Sequence, residues 1–161
     1  MSEGQTDTES ETSSPSGSEQ RSGAGRRVLL VEPDDATRAL LEGELAQEGF
    51  HPVTVASAQD AFALFASDQL PDVVLCDVNL GGGTDGFAFC AQVRAELRSV
   101  RLPVLLLSRR REEEEAAKAS TAGADDYLST PLLVSDVLTR VKLELAERPN
   151  DHTLATRTDQ V

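Results

Sequence analysis

Val28-Leu29-Leu30-Val31-Glu32-Pro33-Asp34-Asp35 decides how this chain is read, because four consecutive aliphatic residues stop on a polar, turn-forming tetrad. A short continuous apolar run followed at once by helix-capping residues is the pattern of a strand buried on both faces. The pattern returns at Val73-Val74-Leu75-Cys76 before Asp77, and at Val104-Leu105-Leu106-Leu107 before Ser108. In a parallel α/β sheet, ligands bind in the crevice at the carboxyl ends of the strands. Glu32, Asp34, Asp77 and Ser108 are therefore the first residues to read for chemistry.

Helical signals fill the gaps between the runs. Asp34 or Asp35 caps a helix carrying Ala36, Leu40, Leu41 and Leu45, which Gly49 ends. Val53-Thr54-Val55 is a second strand, and Ser57 with Asp60 forms a capping-box-like start for a helix with Ala61, Phe62, Leu64 and Phe65. Pro71 introduces the strand at Val73. After the Gly81-Gly82-Gly83 loop, Phe87, Cys90, Val93 and Leu97 mark a third helix, and Pro103 precedes the strand at Val104. Glu112 to Thr121 reads as a fourth helix stopped by Gly123, its glutamates forming a solvated first turn. Tyr127-Leu128 is a fifth strand, and Val134, Val137, Leu138, Val141 and Leu145 mark the last helix. Five βα units predict an open parallel sheet covered on both faces through right-handed crossovers.

The 161-residue chain has room for one domain with a proper core. Residues 1–26 are acidic and rich in Ser and Thr, and are expected to be a disordered tail. Residues 27–148 form the domain, and 149–161, opening on Pro149-Asn150-Asp151, form a second tail. No further domain is expected to follow. A net charge of −13 disfavours nucleic acid backbone and anionic membrane as partners. Cys76 and Cys90 lie in apolar sequence and read as small hydrophobes in a reducing compartment, so a cytoplasmic location is expected. His51 and His152 have no neighbouring ligand set.

Five motifs occur in order: Glu32 with Asp34, Asp77, Asp85-Gly86-Phe87, Ser108, and Gly123-Ala124-Asp125-Asp126-Tyr127-Leu128 leading to Thr130-Pro131. From Arg27 to Glu147 this combination resembles the receiver domain of two-component response regulators. The resemblance implies a flavodoxin-like (βα)5 three-layer sandwich with strand order 2-1-3-4-5. It implies a signalling module rather than an enzyme, with at most self-phosphorylation at Asp77. Asp77 matches the position that accepts a phosphoryl group from a histidine kinase, and Ser108 and Tyr127 match the switch hydroxyl and aromatic. Mg²⁺ is the implied cofactor, with Glu32, Asp77 and the backbone carbonyl of Asn79 at its ligand positions and Asp34 as a substitute for the acid that the family carries at Pro33. The implied partner face is the fourth helix, fifth strand and fifth helix, where Asp125, Asp126, Arg140 and Lys142 are available for charge pairs and a homodimer.

Three departures predict impaired phosphoryl chemistry. The family's second acidic residue after the first strand is Pro33 here, which offers no side-chain oxygen and restricts Glu32. The family's lysine before the last proline is replaced by Thr130, and the two lysines, Lys118 and Lys142, fall on the fourth and fifth helices away from the pocket. The loop from Asp77 to Gly86 is one residue longer than usual and has glycine in place of proline, which costs rigidity. A unit charge 4 Å away is worth about 4 kcal/mol at an effective dielectric of about 20, so a missing dication and monocation matter. Arg109 is placed to supply part of that charge, or to obstruct the mouth.

Three functions compete. The first is an atypical receiver that docks a histidine kinase, an adaptor or another receiver with little or no phosphorylation of Asp77. The second is a phosphorylatable single-domain response regulator using Mg²⁺. The third is an Asp-nucleophile phosphohydrolase, faintly echoed by Asp77-Val78-Asn79, which lacks that family's second acid.

Overall fold

The carboxyl ends of β1 and β3 meet at the centre of a five-stranded parallel sheet, and every candidate site residue is placed relative to that point. The computed structural model describes residues 25–67, 69–98, 101–109, 113–129 and 133–146. The elements alternate as β1 (Arg27–Val31), α1 (Asp35–Gln47), β2 (His51–Val55), α2 (Ala58–Ala66), β3 (Val73–Asp77), α3 (Gly86–Glu96), β4 (Val104–Leu107), α4 (Glu113–Ala122), β5 (Asp126–Leu128) and α5 (Val134–Ala146). The sheet order is β2-β1-β3-β4-β5 with all neighbours parallel. The chain leaves β1 toward β2 on one side and returns to β3 on the other, so the crevice between their ends is the topological switch point.

The apolar runs are continuous because each strand feeds two cores. Leu29, Val31, Val74, Cys76, Val104 and Leu106 pack against Ala61, Phe89, Cys90, Val93 and Ala119 of α2, α3 and α4. Their alternates Val28, Leu30, Val73, Leu75, Leu105 and Leu107 pack against Leu41, Leu45, Val137, Val141 and Leu145 of α1 and α5. Side chains alternate along a strand with a period of two, which gives each residue of the run one of the two cores. β2 lies at the sheet edge and begins at His51, two residues earlier than its Val-Thr-Val triplet suggests. Pro52 is tolerated there because an edge strand spares a ladder donor.

Helix starts follow the capping chemistry. Asp34 accepts from Thr37 N at 2.9 Å, Ser57 from Asp60 N at 3.1 Å, and Asp85 from Ala88 N at 2.8 Å. The inward face of α3 differs from its expected pattern: Phe89, Cys90 and Val93 are buried, while Phe87 and Leu97 are half-buried. Phe89 is the phenylalanine that takes the core position, and Phe87 turns to the crevice rim.

Most of both expected tails lies outside the described residues. Gly25 and Arg26 belong with the domain, since Gly25 N donates to Gly49 O at 3.2 Å and Arg26 O accepts from His51 N at 2.7 Å. Among the described residues no helix is long and apolar enough to cross a membrane.

Candidate functional site

Glu32, one residue past β1, and Asp77, the last residue of β3, are brought together in the crevice with 2 % and 6 % of their surfaces exposed. Their carboxyl groups hydrogen-bond each other, and burial is the main force pushing the Glu32 carboxyl up to about 7. The Asp34 N–H donated to Glu32 lowers it, the Asp77 charge and hydrogen bond raise it, and Arg109 lowers it. A carboxyl as dry as that of Glu32, set beside a second acid, resists ionising unless positive charge is supplied.

Arg109 supplies it. The residue stands two positions past β4, and its Nη2 lies 3.5 Å from Glu32 Oε2, 3.8 Å from Asp34 Oδ2 and 4.0 Å from Asp77 Oδ2. The same nitrogen donates to Thr37 Oγ1 at 2.7 Å, which ties the loop after β4 to the first turn of α1. The side chain remains half-exposed, so the guanidinium spans the mouth of the crevice with one edge in solvent.

Asp34 faces the other way chemically. Its Oδ2 accepts from Thr37 N at 2.9 Å and from Thr37 Oγ1 at 2.6 Å, and these bonds are the first cause of its lowered pKa. Asn79 N donates to Asp77 Oδ1 at 2.8 Å, which fixes one acceptor oxygen. Gly81, Gly82 and Gly83 then turn the chain at positive φ before Asn79 bridges to Asp85. Gly86 closes the loop: its N donates to Val78 O at 2.7 Å, and a Cβ there would stand 2.7 Å from Asp77 O. Only glycine lets α3 begin so close to the Asp77 backbone.

The far wall of the crevice is built differently. Ser108, directly after β4 and 2 % exposed, donates its hydroxyl to Glu115 Oε1 at 2.7 Å. Tyr127 in β5 donates its phenol to the same oxygen at 2.6 Å. Glu115 is itself 4 % exposed, which corrects the expectation of a fully solvated first turn for the glutamate run. The signal was available: Glu115 lies four residues before Ala119, so both fall on the buried face of α4. The run of like residues masked that register. Lys118 also departs from expectation, because it lines the crevice with its Nζ 5.9 Å from the Phe87 ring centroid.

The whole depression measures about 550 Å³ and reaches from Pro33 and Asp34 to Phe87 and Lys118. Of the charged residues expected on a partner face, Asp126 and Arg140 pair at 3.0 Å. The other two are directed elsewhere. Asp125 accepts from Arg94 Nη2 at 2.7 Å and from Val104 N at 2.8 Å, and Lys142 pairs with Glu48 at the end of α1. Arg94 is a residue the sequence reading missed, and it also donates to Gly123 O and Leu102 O. Cys76 and Cys90 are buried free thiols whose pKa values burial raises, in keeping with core packing. Thr130 lies outside the described residues.

The donor set meets the implied Mg²⁺ only in part. Glu32 and Asp77 offer adjoining oxygens, whereas the Asp34 carboxylate is engaged as a helix cap. Among the described residues no group of three or more His, Cys, Asp and Glu side chains converges as a metal-ligand set.

A doubly wound sheet with a buried acid pair at its switch point and a hydroxyl on the next strand defines a receiver-type α/β module. The chain belongs to the response regulator receiver domain family, whose sequence pattern matches residues 28–142. It is 37 % identical over 123 residues to the transcriptional regulatory protein AfsQ1 of Streptomyces coelicolor, covering 75 % of this chain and 52 % of that protein. It is 32 % identical over 119 residues to the phosphate regulon transcriptional regulatory protein PhoB of Rhizobium meliloti, covering 74 % and 52 %. The chain thus spans about half the length of these curated relatives. Among solved structures, a response regulator of Chloroflexus aurantiacus aligns with a TM-score of 0.68 and 32 % identity over 76 % of this chain and 98 % of that one.

Proposed function

We propose that this chain is an atypical receiver that works in two-component or phosphorelay signalling mainly as a docking module, with phosphorylation of Asp77 impaired. The observation that supports this reading is the Arg109 guanidinium, within 4.0 Å of all three carboxylates at the acceptor position. A dication entering there must displace a cation already tied to Thr37, and it gains only two adjoining carboxyl groups, one of them reluctant to ionise. Near a surface, one charge at 4 Å is worth about 4 kcal/mol, so the competition is comparable in size to ordinary metal binding. The residues favour a guanidinium over Mg²⁺, and no reaction step is routed through the metal.

In this reading a histidine kinase, an adaptor or another receiver is bound as a protein surface. The α4-β5-α5 side, carrying the Asp126–Arg140 pair, is the proposed face for such a partner or for a homodimer. Neither nucleic acid nor membrane is a proposed partner, given the net charge of −13. The proposed compartment is the cytoplasm.

The second reading is a working response regulator, phosphorylated at Asp77 with Mg²⁺. It is favoured by the position of Asp77 on the crevice and by the oriented Asn79. Incubation with acetyl phosphate and Mg²⁺, read by intact mass, separates the two. No adduct is expected on the wild type under conditions where a competent receiver is mostly modified. An adduct abolished by Asp77→Asn establishes the second reading instead.

A further inference from the structure

Glu115 is a buried carboxylate on the far wall of the crevice, to which neither the acceptor position nor the implied metal site assigns a role. Its Oε1 receives two hydroxyl protons, from Ser108 at 2.7 Å and from Tyr127 at 2.6 Å. One oxygen serving two donors uses both its lone pairs, an arrangement suited to an ionised carboxylate. The three residues come from three elements: the end of β4, the first turns of α4, and β5. Ser108 and Glu115 are almost completely enclosed, so water is a poor substitute for either partner.

We propose that Glu115 is a positioning residue that latches Ser108 to Tyr127 and thereby holds the α4-β5 side in one arrangement without a phosphoryl group. This rests on the docking reading above, since a module whose output is a surface needs that surface set by internal contacts. The latch acts through Ser108: a hydroxyl committed to Glu115 is not directed at an anion on Asp77. Any ligand that recruits the Ser108 hydroxyl must break the bond to Glu115 and so undo the bridge that holds Tyr127.

The test uses the fact that Tyr127 is the only tyrosine in a chain without tryptophan. A phenol donating to a carboxylate is quenched, so tyrosine emission reports the latch directly. The expected result is emission at least about twofold higher in Glu115→Gln than in the wild type, with Asp77→Asn unchanged. A second measurement needs no Glu115 variant. In a cycle of Ser108→Ala and Tyr127→Phe, the double variant should lose at least about threefold more in the folding equilibrium constant than the two single losses combined, because only then is the carboxylate stripped of both hydroxyls. Unchanged emission in Glu115→Gln, or additive losses in the cycle should that variant not fold, overturns the latch. Beryllofluoride with Mg²⁺ distinguishes the failure of the underlying reading: if it raises wild-type emission and Asp77→Asn abolishes the effect, the latch stands and the docking reading falls.

Discussion

The two walls of the crevice solve opposite problems. On the β1-β3 wall three carboxylates share one half-exposed guanidinium, with separations of 3.5 to 4.0 Å. On the β4-β5 wall two hydroxyls share one buried carboxylate at 2.6 and 2.7 Å. The first is long-range charge compensation open to salt and to competing cations. The second is short, directional and closed over at Ser108 and Glu115. The acidic wall is thus the exchangeable part of the site and the hydroxyl wall the fixed part.

Removing the fixed part should cost most. Glu115→Ala leaves the enclosed Ser108 hydroxyl and the half-buried Tyr127 phenol without their shared acceptor, and urea unfolding should show a loss of about 4 kcal/mol. A loss below about 1 kcal/mol would make the two walls equivalent.

Next in size is a pH effect confined to the acidic wall. The Glu32 carboxyl is raised from 4.5 to about 7 in the folded protein, chiefly by burial. Because the folded value lies above the unfolded one, the folded state holds the extra proton between them. The associated stability is complete below about pH 4.5 and is lost as pH rises toward 7, by about 3 kcal/mol at most. Chemical denaturation across that window should show this decline in the wild type and not in Glu32→Gln.

Gly86→Ala presses on the acidic wall through the backbone. Its Cβ would meet Asp77 O at 2.7 Å, so a destabilisation of about 2 kcal/mol is expected, with amide shifts at Asp77 and Val78 and little change at Tyr127. Smallest is Arg109→Ala, which should change stability by less than about 1 kcal/mol because the guanidinium side of each pair is half-exposed and lies 3.5 to 4.0 Å from its partner, while removing their salt dependence.

The acidic wall was far more legible in the sequence than the hydroxyl wall, for a physical reason. Strand ends announce themselves through the contrast between an aliphatic run and the polar residue after it, which is how Glu32, Asp77 and Ser108 were found, and the βα alternation carried the sheet with them. The Asp34 and Ser57 caps are local hydrogen bonds within three residues and were equally readable, whereas the Asp85 cap, equally local, was passed over behind the glycine-rich loop. Glu115 was hidden because a charge run looks solvated unless its helical register is fixed by the small residues that follow. Arg94 was hidden because its partners lie 8, 29 and 31 residues away, and no local pattern encodes them. Asp125, read as surface, is what that arginine holds.

The most direct test of the exchangeable wall is calorimetric titration of Mg²⁺ into the wild type and Arg109→Ala side by side. Wild-type affinity is expected to be weaker than about 1 mM, with at least about tenfold tighter binding once the guanidinium is gone. Wild-type binding much tighter than about 1 mM, unchanged by Arg109→Ala, would contradict an exchangeable acidic wall.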